Sequence, residues 1–445
     1  MQCAAKKEWV ARRMVRNVRV RPLVLVLFGL AVLAVAGAPA LAEEEESDDR
    51  IEELEKKVRE LSSELKDLKK ERRKQQKKEQ DVEKKVSDLE KKVSGLEEAP
   101  ALELDSWVNK FTLGGYGEMH ANFEEGSGND QLDIHRLVMF LGYDFNDWIK
   151  LRTETELEHA FVGGEPDEGG GELLFEQAYT DFLLRDSFNV RIGRVLTPLG
   201  IVNKWHEPTT FNGVERPAFA EYVIPTTWPS DGAGIFGNLS PELTYEAYVV
   251  GGLDGSEFDA VEGIGEGVIS ERPSLNDPAV TGRLDYRPFQ RSGSKWARKL
   301  RLGLSGYYGG IDNGNEGDDP GVNGDVGILS ADFEYSVSDF DFRGAIARES
   351  IDGAGELGGG VAEGIFGWYL ETAYHFMPEA WKTGYLSESD AVAFVRYDSV
   401  DTQNEMPSGV AADPRGDRQD VTVGLTWHLN RSFVLKTDYQ FRQDD

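Results

Sequence analysis

The sequence predicts an all-β fold: an antiparallel transmembrane β-barrel of about 16 strands, preceded by an α-helical coiled coil. Three observations predict it. Between Lys110 and Arg442, some fifteen short segments alternate apolar and polar residues, which is the pattern of strands with two different faces. Short turns and long Gly/Asp-rich connections take turns between those segments, as expected of strands that run up and down through a bilayer. Ahead of them, a heptad repeat of apolar residues runs without a slip from Ile51 to Leu96.

The first 42 residues read as a signal peptide. Lys6, Lys7, Arg12, Arg13, Arg16, Arg19 and Arg21 form a basic lead-in, and Leu23 to Ala36 is an uncharged apolar core. Ala40-Leu41-Ala42 supplies the small-x-small pattern, so cleavage is expected after Ala42. Met14 is an alternative start, and an uncleaved anchor helix is the competing reading. Arg12-Arg13 lacks the rest of a twin-arginine signal. The single cysteine, Cys3, falls inside this segment, which excludes disulfide scaffolds and Cys-based zinc sites from the mature chain. Cleavage removes seven basic residues and Glu8, moving the formal charge from −31 to −37. A chain this acidic is a poor nucleic-acid binder, so no nucleic acid is expected as a partner.

Residues 43–98 form the expected periplasmic coiled coil. Ile51, Val58, Leu65, Arg72, Glu79, Val86 and Val93 occupy the a positions; Leu54, Leu61, Leu68, Gln75, Val82, Leu89 and Leu96 occupy d. Such a helix has no core of its own and must self-associate. The central polar layers, Arg72, Gln75 and Glu79, cost stability but fix register and strand number. Val/Ile at a with Leu at d leans toward two strands, whereas an oligomeric barrel would impose its own symmetry; a homotrimer is the preferred expectation. Residues 99–108 are a linker and 109–445 the barrel domain.

Within the barrel, Phe111, Leu113, Met119, Ala121 and Phe123 share one face of the first strand; Thr112, Tyr116, Glu118, His120 and Asn122 share the other. The third strand puts Ile149, Leu151, Leu157 and Phe161 on one side and Lys150, Arg152, Glu154, Glu156 and Glu158 on the other. A face with five charges needs water. A soluble sheet also offers that pattern, and the connections decide between them. Asn146-Asp147, Arg185-Asp186-Ser187, 238–242, Ser336-Val337-Ser338 and Asn430-Arg431 are short. Residues 163–171, 197–231, 254–277, 310–325, 350–364 and 401–417 are long. The links 287–298 and 377–389 fall on the short side but run longer than usual. Aromatics near strand ends (Tyr143, Phe145, Trp148, Tyr308, Trp368, Tyr374, Phe376, Trp427, Phe433, Tyr439 and Phe441) form the two expected girdles. Parity leaves strand fifteen, Ser432 to Arg442, running outward; single-chain bacterial barrels have even strand numbers, so a sixteenth strand is expected that this sequence lacks. The alternative is a strand missed within 197–231.

That stretch holds Pro198, Pro208, Pro217, Pro225 and Pro229, together with Lys204, Trp205, His206, Glu207, Glu215, Arg216 and Trp228. A structureless connection of this length is usually functional. The expected role is a loop folded into the lumen that narrows it, with Lys204, Trp205, His206, Glu207, Glu215 and Arg216 as candidate constriction residues; an exposed loop is the alternative. The segments Arg191-Ile-Gly-Arg-Val-Leu-Thr-Pro-Leu-Gly200, Val214-Glu215-Arg216-Pro217 and Gly232-Ala-Gly-Ile-Phe-Gly237 resemble the phosphate-selective porins O and P and their relatives. The resemblance spans residues 109–442 and implies a sixteen-stranded, trimeric outer-membrane porin; an N-terminal coiled coil is compatible with that family.

Phosphate selectivity itself would need a ladder of closely spaced Arg and Lys. Candidate lumen cations are Arg136, Lys150, Arg152, Arg191, Arg283, Arg301, Arg343 and Lys436. Candidate acids are Glu118, Glu154, Glu156, Glu158, Glu246, Asp285, Asp341 and Asp438. A mixed lining chooses no ion clearly. Nor does the sequence offer chemistry. Among His120, His135, His159, His206, His375 and His428 no pair has helical metal spacing, and no H-E-x-x-H, G-x-S-x-G or P-loop occurs. The expectation is no enzyme, no cofactor and no metal site. Asp312 to Asp319 is rich in oxygen ligands but lacks EF-hand spacing, and reads as a solvated loop. Partners are then outer-membrane lipid and lipopolysaccharide, with the cell wall or peptidoglycan reached through the coiled coil. The expected activity is passive diffusion of small hydrophilic solutes or ions. A structural tether between membrane and wall is the second reading.

Overall fold

The computed structural model describes residues 107–125, 130–158, 173–269, 272–317 and 319–444, and isolated positions between Lys56 and Ser87. The signal peptide at 1–42, most of the heptad segment at 43–98 and the linker up to 106 lie outside the described residues. Those positions described between Lys56 and Ser87 are all helical and exposed. The chain divides into two compact units, Met1–Ala101 and Leu102–Asp445.

The second unit is one antiparallel sheet of 15 strands whose spatial order is the chain order. These are β1 (Phe111–Asn122), β2 (Gln131–Asp144), β3 (Ile149–Glu158), β4 (Leu173–Arg185), β5 (Phe188–Leu196), β6 (Pro229–Ser240), β7 (Leu243–Gly251), β8 (Pro278–Tyr286), β9 (Leu300–Gly310), β10 (Asp325–Val337), β11 (Phe340–Ile351), β12 (Gly364–His375), β13 (Asp390–Glu405), β14 (Asp417–Asn430) and β15 (Phe433–Asp444). Each pairs with its sequence neighbour. Two-residue turns at 186–187, 241–242, 338–339 and 431–432 alternate with long connections at the opposite end. The 338–339 turn holds Ser338 at φ 54°, a left-handed conformation of the kind tight hairpin turns require.

The pleat sorts the side chains in the opposite sense to a soluble sandwich. On β9, Leu302, Leu304 and Tyr308 are exposed while Arg301, Ser305 and Tyr307 are buried. On β2 and β10, Leu132 and Leu329 are 68% and 64% exposed. Charged residues are instead enclosed: Arg283 is 2%, Arg396 2% and Glu349 0% exposed. A sheet whose greasy face is outside and whose charged face is inside is a barrel wall built for a hydrocarbon surround. At the short-turn end, aromatics cluster around the half-buried Tyr143 and at Phe340: Trp107 against Phe111 at 5.5 Å, Phe111 against Tyr143 at 4.7 Å, Tyr143 against Phe145 at 4.9 Å, and Phe340 against Tyr374 at 4.8 Å.

The interior is filled unequally. Toward the long connections it holds the apolar core. There Leu199, Phe219, Val223, Ile224 and Trp228 of the β5–β6 connection, with Leu253, Phe258, Ile264 and Ile311 of the neighbouring ones, pack against wall residues such as Tyr248, Tyr307, Ile328 and Tyr369. The rest of the lumen is charged. The β5–β6 connection, 197–228, is shorter than expected at its far end, because Pro229 and Ser230 already pair with Leu196 and Val195. Pro is tolerated as the first residue of a strand, where its missing N–H does no harm.

Candidate functional site

The candidate site is the β5–β6 connection and the wall that surrounds it. The sequence supplies the connection with apolar anchors at both ends, Leu199 and Ile201 at one and Ile224 and Trp228 at the other, all 4% exposed or less. Burying these draws the segment into the barrel. A short helix, α1 (Phe219–Tyr222), sits in it, with Phe219 against Tyr369 at 5.6 Å. Once inside, the segment's backbone must find partners, because an unpaired buried carbonyl or N–H costs about as much as a lost hydrogen bond.

Wall side chains supply those partners. Arg283 Nη1 donates to the Gly200 carbonyl at 3.2 Å, and Arg343 Nη1 to that of Thr210 at 2.8 Å. Arg396 Nη1 donates to the Asn212 and Glu215 carbonyls at 3.5 and 3.4 Å, and Nη2 to that of Arg216 at 3.2 Å. Asp438 Oδ2 accepts from Val214 N at 2.6 Å, and Asp398 Oδ1 from Phe219 N at 3.4 Å. Asn122 Nδ2 donates to Glu215 Oε1 at 2.9 Å. The segment therefore touches β1 through Asn122 and β15 through Asp438. A sheet whose first and last strands both grip one loop is curled around it.

The cations are held by acids as well as by the loop. Arg136 meets Glu118 at 2.6 Å and Glu156 at 2.9 Å. Arg191 pairs with Asp181 at 2.7 Å and lies 3.8 Å from the Tyr179 ring centre. Arg283 and Arg301 both bind Asp285 and Asp332, and Arg301 adds Glu334 at 2.7 Å. Arg343 faces Glu371 at 3.3 Å and Arg396 faces Asp398 at 3.0 Å. Buried guanidiniums are stable only when paired and hydrogen-bonded in this way. Lys436 Nζ is 3.7 Å from the ring centre of Phe211.

The constriction candidates meet different parts of the surrounding structure. Lys204 reaches Glu246 and, at 3.3 Å, Asp285, while Arg301 lies 4.8 Å from the Trp205 ring centre. His206 Nε2 lies 3.5 Å from both Glu154 Oε1 and Glu176 Oε2. Glu215 accepts from Asn122 and meets His120 Nδ1 at 3.2 Å. Burial pushes the Glu215 carboxyl up, but the hydrogen bonds from His120 and Asn122 outweigh it and hold it down at about 2. Arg216 donates to the Thr226 carbonyl, and Glu207 stays partly exposed. Of the lumen candidates, Arg136, Glu154, Glu156, Arg191, Arg301 and Arg343 belong to this enclosed network. Lys150 and Arg152 do not: both pair with Asp144 at 2.7 and 2.8 Å, near the short turns and partly open to solvent. Between loop and wall lies a cavity of 140 Å³ lined by Gln177, Arg191, Leu196, Thr197, Pro198, Lys204, Trp205 and Glu246.

Sequence reading missed Glu176, Asp181, Asp332, Glu371, Arg396 and Asp398. Strict alternation could have found Arg396 and Asp398 on β13. It could not have found Glu176. Glu154 pairs with Gln177 and Thr155 with Phe175, so Glu176 is an extra residue, a bulge in β4. The bulge switches the inward parity of the strand. Gly193 in the Arg191-Ile-Gly-Arg194 segment explains one motif residue: its φ is 130°, and a Cβ there would lie 2.3 Å from the Ala178 carbonyl oxygen.

No protein-family profile matches the chain. It is 31% identical over 346 residues to an uncharacterized protein of Aquifex aeolicus, covering 74% of each. Among solved structures it is similar to a loop L8 deletion mutant of OmpT, an outer membrane protein of Vibrio cholerae, with 10% identity, TM-score 0.47 and 75% and 94% of the two chains covered. It is also similar to the outer membrane channel DcaP of Acinetobacter baumannii, with 13% identity, TM-score 0.45 and 75% and 91% covered. For an anion-selective porin from Comamonas acidovorans the values are 11%, 0.45, 75% and 89%.

Proposed function

The chain belongs to the same family as the Aquifex aeolicus protein, and we propose that it is an outer-membrane porin. The observation that carries this reading is the inverted wall: exposed leucines outside, paired charges inside. Such a wall is stable only with lipid around it and a polar interior within. Transport is passive diffusion of ions or small hydrophilic solutes past the 197–228 loop. The loop narrows the passage, and beside Arg191, Lys204 and Glu246 it borders a cavity of 140 Å³. Both signs of charge line it, and the arginines Arg283, Arg301, Arg343 and Arg396 are engaged by acids and loop carbonyls, so among the described residues these cations offer no support for phosphate preference. The barrel is a homotrimer in contact with outer-membrane lipid and lipopolysaccharide. The heptad segment lies in the periplasm and approaches the cell wall.

The test is single-channel recording in planar bilayers. The intact chain should give small steps. Replacing residues 199–227 with a short Gly/Ser turn should raise the step size several-fold. Silence from correctly folded protein would overturn the channel reading in favour of a tether, a role for which the heptad repeat is the sequence support.

A further inference from the structure

The geometry points to a transition-metal site that staples the inward loop to the wall, with Glu154 of β3, Glu176 of β4 and His206 of the loop as its ligands. All three side chains are enclosed, at 3%, 1% and 3% exposure. One oxygen of each carboxylate and both ring nitrogens of His206 are buried without a hydrogen-bond partner among the described residues. The three donor atoms lie within 4.8 Å of one another.

Three features favour a metal over a plain ion pair. First, the His206 Nε2 separations of 3.5 Å from Glu154 Oε1 and Glu176 Oε2 exceed good N–H···O hydrogen bonds. They match the edge of a tetrahedron, roughly 3.4 Å for metal–ligand bonds near 2.1 Å. Second, a single Nε2–H can serve only one of two buried carboxylates, whereas a divalent cation balances both and leaves the imidazole neutral. Third, each carboxylate has its other oxygen anchored. Gln177 Nε2 donates to Glu154 Oε2, and Thr227 Oγ1 donates to Glu176 Oε1 at 2.8 Å. Outer hydrogen bonds of this kind orient metal ligands.

The bulge in β4 turns both Glu176 and Gln177 toward Glu154, and bulges serve to re-aim side chains. The loop contributes His206 from one arm and Thr227 from the other. A nitrogen and two carboxylate oxygens suit Zn²⁺ and its first-row neighbours rather than Ca²⁺ or Mg²⁺. A bound ion would lock two arms of the loop against two neighbouring strands, making loop position depend on metal supply.

The experiment uses the full chain folded in detergent and stripped with chelator. Zn²⁺ uptake is measured by equilibrium dialysis and calorimetry, and Co²⁺ serves as the spectroscopic probe. The expected result is one saturable Zn²⁺ per chain, not displaced by excess Ca²⁺, with the intense visible absorption of tetrahedral Co²⁺. His206→Gln should abolish both signals, and Thr227→Val, which spares every ligand, should weaken affinity about 10- to 100-fold. Folding of each variant is checked by heat-modifiable electrophoretic mobility. Absence of a saturable site in the folded wild type would overturn the proposal. So would uptake by folded His206→Gln equal to that of the wild type, which would leave His206 as an imidazolium between two glutamates.

Discussion

Two long connections at the same end of the wall behave in opposite ways. The 197–228 segment turns inward and is buried along most of its length; the 406–416 segment stays outside, with Ser408, Gly409, Val410, Ala411 and Ala412 exposed. Backbone stiffness does not separate them, since both carry prolines. What differs is the apolar content at the ends. The inward segment begins with Leu199 and Ile201 and closes with Ile224 and Trp228, a payload that gains by leaving water. The outer one has Met406, which is only partly buried, and the exposed Val410, and its Asp413–Arg415 pair at 2.6 Å faces water, where such an interaction is worth little. The inward course thus goes with apolar side chains at the ends and around Phe219, and the polar stretches between them are satisfied by the wall they meet.

Replacing Trp228 sharpens this contrast most. Trp228 is 1% exposed and packs on Tyr307 at 5.1 Å. Trp228→Ala should cost about 3–5 kcal/mol in denaturant unfolding of the lipid- or detergent-embedded barrel. A loss no larger than that of an outer-loop variant would mean that the segment is not packed as a core. A smaller effect concerns acid. The Glu215 carboxyl lies at about 2 against an ordinary 4.5. Its ionised contacts therefore stabilise the loop fully above the ordinary value, and that contribution is lost as the pH falls toward 2. Wild type should melt above Glu215→Gln at neutral pH, with the gap closing across that window; a gap independent of pH would assign the effect to packing. The smallest effect belongs to the outer loop. Val410→Ser should change stability by no more than about 0.5 kcal/mol, read by the same unfolding assay.

Much of the wall was legible because period two is a strong signal wherever strands are regular. Leu302 and Arg301, or Leu157 and Glu156, announce their faces by position alone. The inward loop was legible too, from its length and its prolines and aromatics. Partnership was not. Arg283 of β8 meets Asp332 of β10 past the intervening β9, and Arg396 meets the carbonyls of a segment some 180 residues earlier. Nothing local in the sequence encodes those meetings; they exist only after the strands and the inward loop have come together. Glu176 was hidden for another reason: one inserted residue in β4 reverses its parity, so a strict alternation puts it on the wrong side.

The grip of one loop on both β1 and β15 carries a consequence for the margins of the sheet. Asn122 and Asp438 stand 316 positions apart in the chain, yet each finds its partner at residues 214–215. The segment therefore ties the two margins of the sheet to one another through itself, and losing it would release both margins at once.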